Sequence, residues 1–219
     1  TKVPPSYDLT LYHPHYYFIN GRSFPDTISP NFAQHLPSQP YGAMVHVTPN
    51  GGSAPPALVR YLNAGPVSYP FHPHSNHEKQ IGVDGRVLVN PTAGAGGTPV
   101  DTSIDRFGIV VPPGQTIETQ FVWTDAQNWN ADTNTIDVVV PHQGNRFEGP
   151  YWSGSPYLGI KSSLQDETTQ YNLCGEMYHV AHSHALFQAT NYGLTMGGML
   201  TMIRVDPPGR EAACTSPGY

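Results

Sequence analysis

Phe107-Gly108-Ile109-Val110-Val111-Pro112-Pro113-Gly114-Gln115-Thr116-Ile117-Glu118-Thr119-Gln120-Phe121-Val122 places two short apolar segments on either side of a Pro-Pro-Gly turn. Proline fixes φ and glycine opens positive φ, so the chain turns sharply there. Phe107–Val111 and Thr116–Val122 are rich in β-branched and aromatic residues and too short for helices, so they read as a strand pair. Working outward, Ala57–Leu62 is another strand, closed by Asn63-Ala64-Gly65-Pro66. Gln80–Val89 holds an Asp84-Gly85 turn between apolar stretches, a hairpin signal. Further strands are expected at Tyr16–Ile19, Ala43–Val47, Ile136–Val140, Met177–Phe187 and Leu194–Val205. Short strands at roughly ten-residue spacing imply a Greek-key β-sandwich. A parallel βαβ fold would need amphipathic helices between the strands, and the sequence has none.

Composition supports the all-β reading. Of 219 residues, 22 are Gly and 23 are Pro, which excludes a helical bundle. The 8 Phe, 13 Tyr and 3 Trp supply a core and argue against disorder. Only 12% of residues are charged, the net charge is -6, and Lys plus Arg total 10 without a basic run. Nucleic-acid binding therefore has no electrostatic footprint. Apolar runs are broken by Pro or Gly well short of a membrane span.

The chain begins at Thr1 rather than Met. With low charge and much Pro and Gly, this makes an exported protein the expectation: secreted, periplasmic or at the cell surface. Cys174 and Cys214 read either as free thiols or as a disulfide pinning the C-terminal tail. A closed loop of about 40 residues would be worth roughly 4 kcal/mol on the chain-entropy estimate.

The eleven histidines include three His-x-His pairs: His13-Pro14-His15, His72-Pro73-His74 and His182-Ser183-His184. In a strand, residues i and i+2 share a face, so each pair presents two imidazoles side by side. Two such pairs on neighbouring strands would gather four nitrogen donors. Imidazole suits copper, zinc, iron and nickel, and copper(II) heads the divalent affinity order.

The two later pairs sit in longer patterns. Tyr69-Pro70-Phe71-His72-Pro73-His74-Ser75-Asn76-His77, followed by Asp84-Gly85-Arg86, resembles the first copper-binding segment of multicopper oxidases. Val59–Gly65 resembles the strand and turn leading into it, and Val111–Thr116 is similar to the family's later turn. Gly175-Glu176-Met177-Tyr178-His179-Val180-Ala181-His182-Ser183-His184-Ala185-Leu186-Phe187-Gln188, with Gly193-Leu194 and Gly197-Gly198-Met199-Leu200 after it, resembles the second segment. The matches run in family order from about Ala57 to Val205.

The resemblance implies a cupredoxin-like sandwich at 41–210, with an extended N-terminal segment at 1–40 and a tail at 211–219. It also implies copper as the cofactor, with His72, His74, His182 and His184 forming half the ligand set of a three-copper cluster that reduces dioxygen. The chain departs from the family's blue-copper pattern at Ser183, where a cysteine would stand, and at Tyr69, where a histidine would stand. It therefore resembles the partner type of domain, active only beside a domain or chain that brings electrons from a one-electron donor. An oligomer or heterocomplex follows. The other open readings are a copper protein for storage, delivery or structure, a sandwich without metal and, more weakly, a zinc hydrolase.

The remaining candidates have plainer roles. His77 is expected outside the ligand set, and His13 and His15 at an edge or interface. His179, three residues before His182, points to the opposite face in a strand. Met196, Met199 and Met202 are expected in the core. Asp84 reads as turn chemistry beside Gly85 and, with Glu176, as a possible proton donor.

Overall fold

The computed structural model describes residues 8–49, 55–74, 76–123 and 177–206. Its strands are β1 (Val45–Val47), β2 (Ala57–Leu62), β3 (Tyr69–Pro73), β4 (Glu78–Val83), β5 (Arg86–Val87), β6 (Val89–Asn90), β7 (Val100–Asp101), β8 (Ile104–Arg106), β9 (Ile109–Val111), β10 (Thr116–Phe121), β11 (Met177–Ser183) and β12 (Leu200–Val205). Among the described residues one sheet runs β1-β12-β11-β3-β9 and the other β2-β10-β4-β5, with β8 also paired to β4. A small ribbon pairs β6 with β7. This is the all-β Greek-key sandwich expected from the sequence.

The Pro-Pro-Gly turn corrects one detail of that expectation. The segments it joins do not pair with each other: β9 pairs with β3, whereas β10 pairs with β2 and β4. Gly114 has φ 76° and the Gln115 amide donates to the Pro112 carbonyl at 3.1 Å. The turn carries the chain from one sheet to the other. Ile109, Val111 and Ile117 then bury their side chains together across the interface. A flat hairpin would have left those apolar faces side by side and half exposed. The Asp84-Gly85 hairpin forms as expected, with φ 49° and 74° at the two turn residues and β4 folded back on β5.

Between the sheets, Val47, Ala181, Ile203 and Val205 meet Phe121 of the facing sheet, with Ala57 and Phe71 against them. All six residues of β12 are buried, so that strand is covered on both faces. The second cover is the N-terminal segment, whose Phe24 and Ile28 pack on Val180, Leu200 and Met202. Arg22, 2% exposed, donates to the carbonyls of Asp26, Ser29, Pro30 and Gln39 and so ties this segment into one loop. The Thr27 hydroxyl donates to the Leu200 carbonyl at 2.6 Å and fixes the loop to β12.

Other strand expectations are trimmed. Tyr16–Ile19 is not a strand; one bridge joins Ile19 to Arg22, because the chain turns back at Asn20-Gly21 before a ladder can grow. The expected strand at Met177–Phe187 ends at Ser183, and Leu186–Ala189 forms a 3-10 turn. Leu194–Met199 forms turns ahead of β12. Met199 and Met202 are core residues and Met196 packs against the cluster that contains Met202, as expected. Ile136–Val140, Glu176, Cys174, Cys214 and the 211–219 tail lie outside the described residues.

Candidate metal centre

The antiparallel register of β3 and β11 sets His182 opposite His72, Ala181 opposite Pro73 and Ser183 opposite Phe71. Strand alternation then divides the two segments by face. Phe71, Ala181 and Ser183 point between the sheets, and the histidines point outward. The ladder extends at both ends: the His74 amide donates to the Val180 carbonyl at 2.9 Å and the His184 amide to the Pro70 carbonyl at 2.7 Å. His74 and His184 are thereby held level with the paired central residues.

All four predicted rings gather in one place. Ring centroids lie 5.0 Å apart for His72–His74, 5.1 Å for His74–His182, 5.2 Å for His72–His184 and 5.9 Å for His72–His182 and His182–His184. Nε2 of His74 and Nε2 of His182 are 3.0 Å apart. His72, His74 and His182 are half-buried and His184 is exposed, so the cluster opens to the surface through His184.

Backbone carbonyls orient two of the rings. Nδ1 of His182 lies 2.9 Å from the Ser183 carbonyl, and Nδ1 of His72 meets the Phe107 carbonyl. A carbonyl can only accept, so both Nδ1 atoms carry hydrogen, which makes Nε2 the lone-pair position of the neutral form of each ring. This is the arrangement by which an imidazole is prepared as a metal ligand. Burial, and then the neighbouring imidazoles, hold His74 below the usual histidine range. His182 is lowered in the same way by burial first, against the Ser183 carbonyl, which raises it. Both rings are neutral at pH 7 and able to donate lone pairs.

The donor set fits copper in ligand type but does not close around an ion. Among the described residues, no group of three or more His, Cys, Asp or Glu side chains is arranged to hold a metal by itself. Ser183 offers no further donor to the cluster. It is fully buried on the opposite face, where its hydroxyl donates to Oε1 of Gln188 at 2.5 Å and Nε2 of Gln188 donates to the Ser68 carbonyl at 3.1 Å.

Among the described residues, the other histidines lie outside this cluster. His179 points between the sheets as expected; its ring is 4.1 Å from that of Trp123, and burial and then His74 push it down to about 4. His77 is exposed, with its ring 6.5 Å from Phe107. His13 and His15 are exposed, the latter 5.4 Å from the Tyr192 ring. Asp84 performs turn chemistry: its Oδ1 accepts from the Thr116 amide at 2.9 Å.

Sequence reasoning missed one buried polar cluster. Glu78 accepts hydrogen bonds from the Tyr61 hydroxyl at 2.5 Å and the Thr119 hydroxyl at 2.6 Å. The three residues are scattered along the chain, and no spacing rule links them.

No protein-family model and no curated protein sequence matches the chain. Among solved structures it is similar to the blue copper oxidase from Nitrosomonas europaea, with 17% identity, 94% of this chain and 38% of that chain covered, and a TM-score of 0.44. It is also similar to the multicopper oxidase mgLAC, with 14% identity, 89% and 35% covered, and a TM-score of 0.45. A third is the McoA multicopper oxidase from the hyperthermophile Aquifex aeolicus, with 12% identity, 76% and 22% covered, and a TM-score of 0.33. The chain spans well under half the length of each of these structures.

Proposed function

We propose that this chain is the copper-holding, electron-accepting-incompetent half of a multicopper-oxidase-type centre. The observation that carries the reading is the outward-facing, in-register meeting of His72-x-His74 and His182-x-His184, with Nδ1 of His72 and of His182 turned to backbone carbonyls. His72, His74, His182 and His184 would hold copper through their ring nitrogens. Copper bound there would supply the one-electron redox chemistry for dioxygen reduction.

The chain's own residues bind and orient. β3 and β11 fix the spacing of the rings, the carbonyls of Phe107 and Ser183 fix two tautomers, and burial keeps His74 and His182 neutral. Four donors in two pairs that close no site alone imply that the remaining ligands come from a partner domain or chain. Electron entry also belongs to the partner, because a blue centre requires a thiolate and Ser183 faces the core. Exposed His184 marks the side on which the partner sits.

The domain limits of 1–40, 41–210 and 211–219, an exported location and a Cys174–Cys214 disulfide belong to this reading. Among the described residues no helix is long and apolar enough to cross a membrane. The alternative is a copper protein for storage, delivery or structure, favoured by the same open donor set.

Metal analysis with EPR on natively purified protein tests the first reading, together with oxygen consumption in the presence and absence of its co-purifying partner. Copper that depends on both His pairs, and oxygen uptake only with the partner, are expected. Copper binding without oxygen uptake in either case would leave the storage reading, and a metal-free protein that binds no added copper would overturn both.

A further inference from the structure

A cavity of about 700 Å³ opens between β2, β3 and the N-terminal segment. Its walls include Tyr12, Tyr16, Tyr17, Tyr61, Tyr69 and Phe71. That volume lies within the range of small-molecule sites, which are mostly apolar with a few placed polar groups.

The polar groups of this cavity fall into two sets. The Tyr61 hydroxyl is committed to Glu78, the Tyr17 hydroxyl to the Pro14 carbonyl, and the Asn63 amide to the carbonyls of Val67 and Val111. Among the described residues, the hydroxyls of Tyr12, Tyr16 and Tyr69 make no hydrogen bond. Tyr69 is held at the wall because Gly65 carries no side chain: a methyl group there would collide with the Tyr69 hydroxyl. Burial, then the phenols of Tyr12 and Tyr17, raise the Tyr69 phenol, so it stays a protonated donor at neutral pH. Arg60 also borders the cavity, but it is exposed to solvent, so no buried charged side chain stands among the aromatic walls.

We infer that this cavity binds a small, uncharged aromatic molecule bearing a hydrogen-bond acceptor, held between tyrosine rings with its acceptor on the Tyr69 hydroxyl. Aromatic rings prefer offset-stacked and edge-to-face neighbours, which the wall supplies from several directions. A charged ligand would lose its hydration against the rings with only solvent-exposed Arg60 to offset the loss. The inference stands apart from the copper reading, since none of the four clustered histidines lines the cavity.

Three probes of similar size decide it, using chelator-treated full chain and protein-observed NMR: acetophenone, cyclohexyl methyl ketone and benzoate. Acetophenone is expected to give saturable shifts at the amides of Asn20, Gly21, Ala64 and Gly65, and to bind more tightly than the other two. Tyr69→Phe removes only the hydroxyl and is expected to weaken acetophenone about fivefold, the worth of one neutral hydrogen bond. Tyr16→Ala, at an exposed ring, is expected to weaken it without disturbing the fold. No saturable binding of acetophenone overturns the inference. So does equal binding of the aromatic and cyclohexyl ketones, preference for benzoate, or unchanged affinity in both variants.

Discussion

The Ser183 hydroxyl donates to Oε1 of Gln188 at 2.5 Å, and both side chains are at most 2% exposed. The central residue of the second histidine pair therefore closes the turn after β11, while its two neighbours face outward. Replacing it with cysteine substitutes a weak donor and leaves a buried amide oxygen under-satisfied. Ser183→Cys is expected to cost about 1–2 kcal/mol by urea denaturation. The copper-loaded variant is expected to lack intense blue absorption, because the new sulfur faces the core rather than the cluster. A strong blue band from that variant would show that residue 183 reaches the metal.

Copper stoichiometry should depend on each histidine pair. His72 and His182 are directly opposed across the β3–β11 ladder, and each has Nδ1 on a backbone carbonyl. His72→Ala and His182→Ala are each expected to weaken copper binding at least about tenfold, the lower end of what even outer-sphere changes cost. His35, 3.6 Å from Asp26 in the N-terminal segment, is the control, and His35→Ala should load copper as the parent does. Equilibrium dialysis with metal analysis reads the difference. Equal loading of all three variants would remove the ligand assignment.

How much of this was legible in the sequence depends on the range of the interaction. Strand alternation works over two residues, and it places His72 with His74, His182 with His184, and His179 on the other face. The Asp84-Gly85 hairpin was equally local. The Pro-Pro-Gly turn reads as the link within a strand pair because both kinds of connection look alike along the chain. Only the packing of Ile109 and Val111 against Ile117 makes it a crossing between sheets. The cover provided by Phe24 and Ile28 was invisible for the same reason: nothing in residues 20–30 announces that their partners are Val180, Leu200 and Met202.

That cover leads to a stability prediction. Arg22 gives its guanidinium to four backbone carbonyls while 2% exposed. Arg22→Met keeps much of the volume and removes every donor, leaving those carbonyls without their charged partner. A loss of roughly 3 kcal/mol is expected, the upper part of the range for bonds to a charged group. Faster cleavage within the N-terminal segment under limited proteolysis should accompany it. A variant as stable as the parent would mean that the segment is not held by this residue.

Glu78 sets a pH dependence. Burial raises its carboxyl above the usual glutamate value of 4.5, and the hydrogen bonds from Thr119 and Tyr61 offset this only in part. A carboxyl raised in the folded state favours folding most when protonated. Its contribution is complete below the unfolded value and lost as pH rises through the folded one. Glu78→Gln keeps an acceptor for Tyr61, and its amide can donate to Thr119 once that hydroxyl reverses its role. The stability of the variant relative to the parent should therefore grow as pH rises from about 4.5 toward neutrality. Urea midpoints of the two proteins across that range are the measurement. A gap that narrows with rising pH would give the opposite sign and refute the assignment.

The last prediction concerns how firmly copper is held. His72, His74, His182 and His184 are grouped with centroid spacings of 5.0 to 5.9 Å, yet no three donors among the described residues are arranged to hold one ion. On the proposed reading of these four histidines as half a ligand set, each copper on this chain would keep open positions that water or a chelator can enter. With a partner's donors in place those positions fill and the surface at exposed His184 is covered. Copper on the isolated chain is expected to be removed by dialysis against EDTA, and copper in the complex with the native partner to be retained. The partner expected is a different chain or domain carrying a His-Cys-His segment, because copies of this chain would still place Ser183 in the core and leave electrons no entry. Metal analysis after parallel dialysis, with light scattering to fix the assembly state, separates the cases. Copper retained by the monomeric chain would show a site closed within one sandwich, and the need for a partner would fall with it.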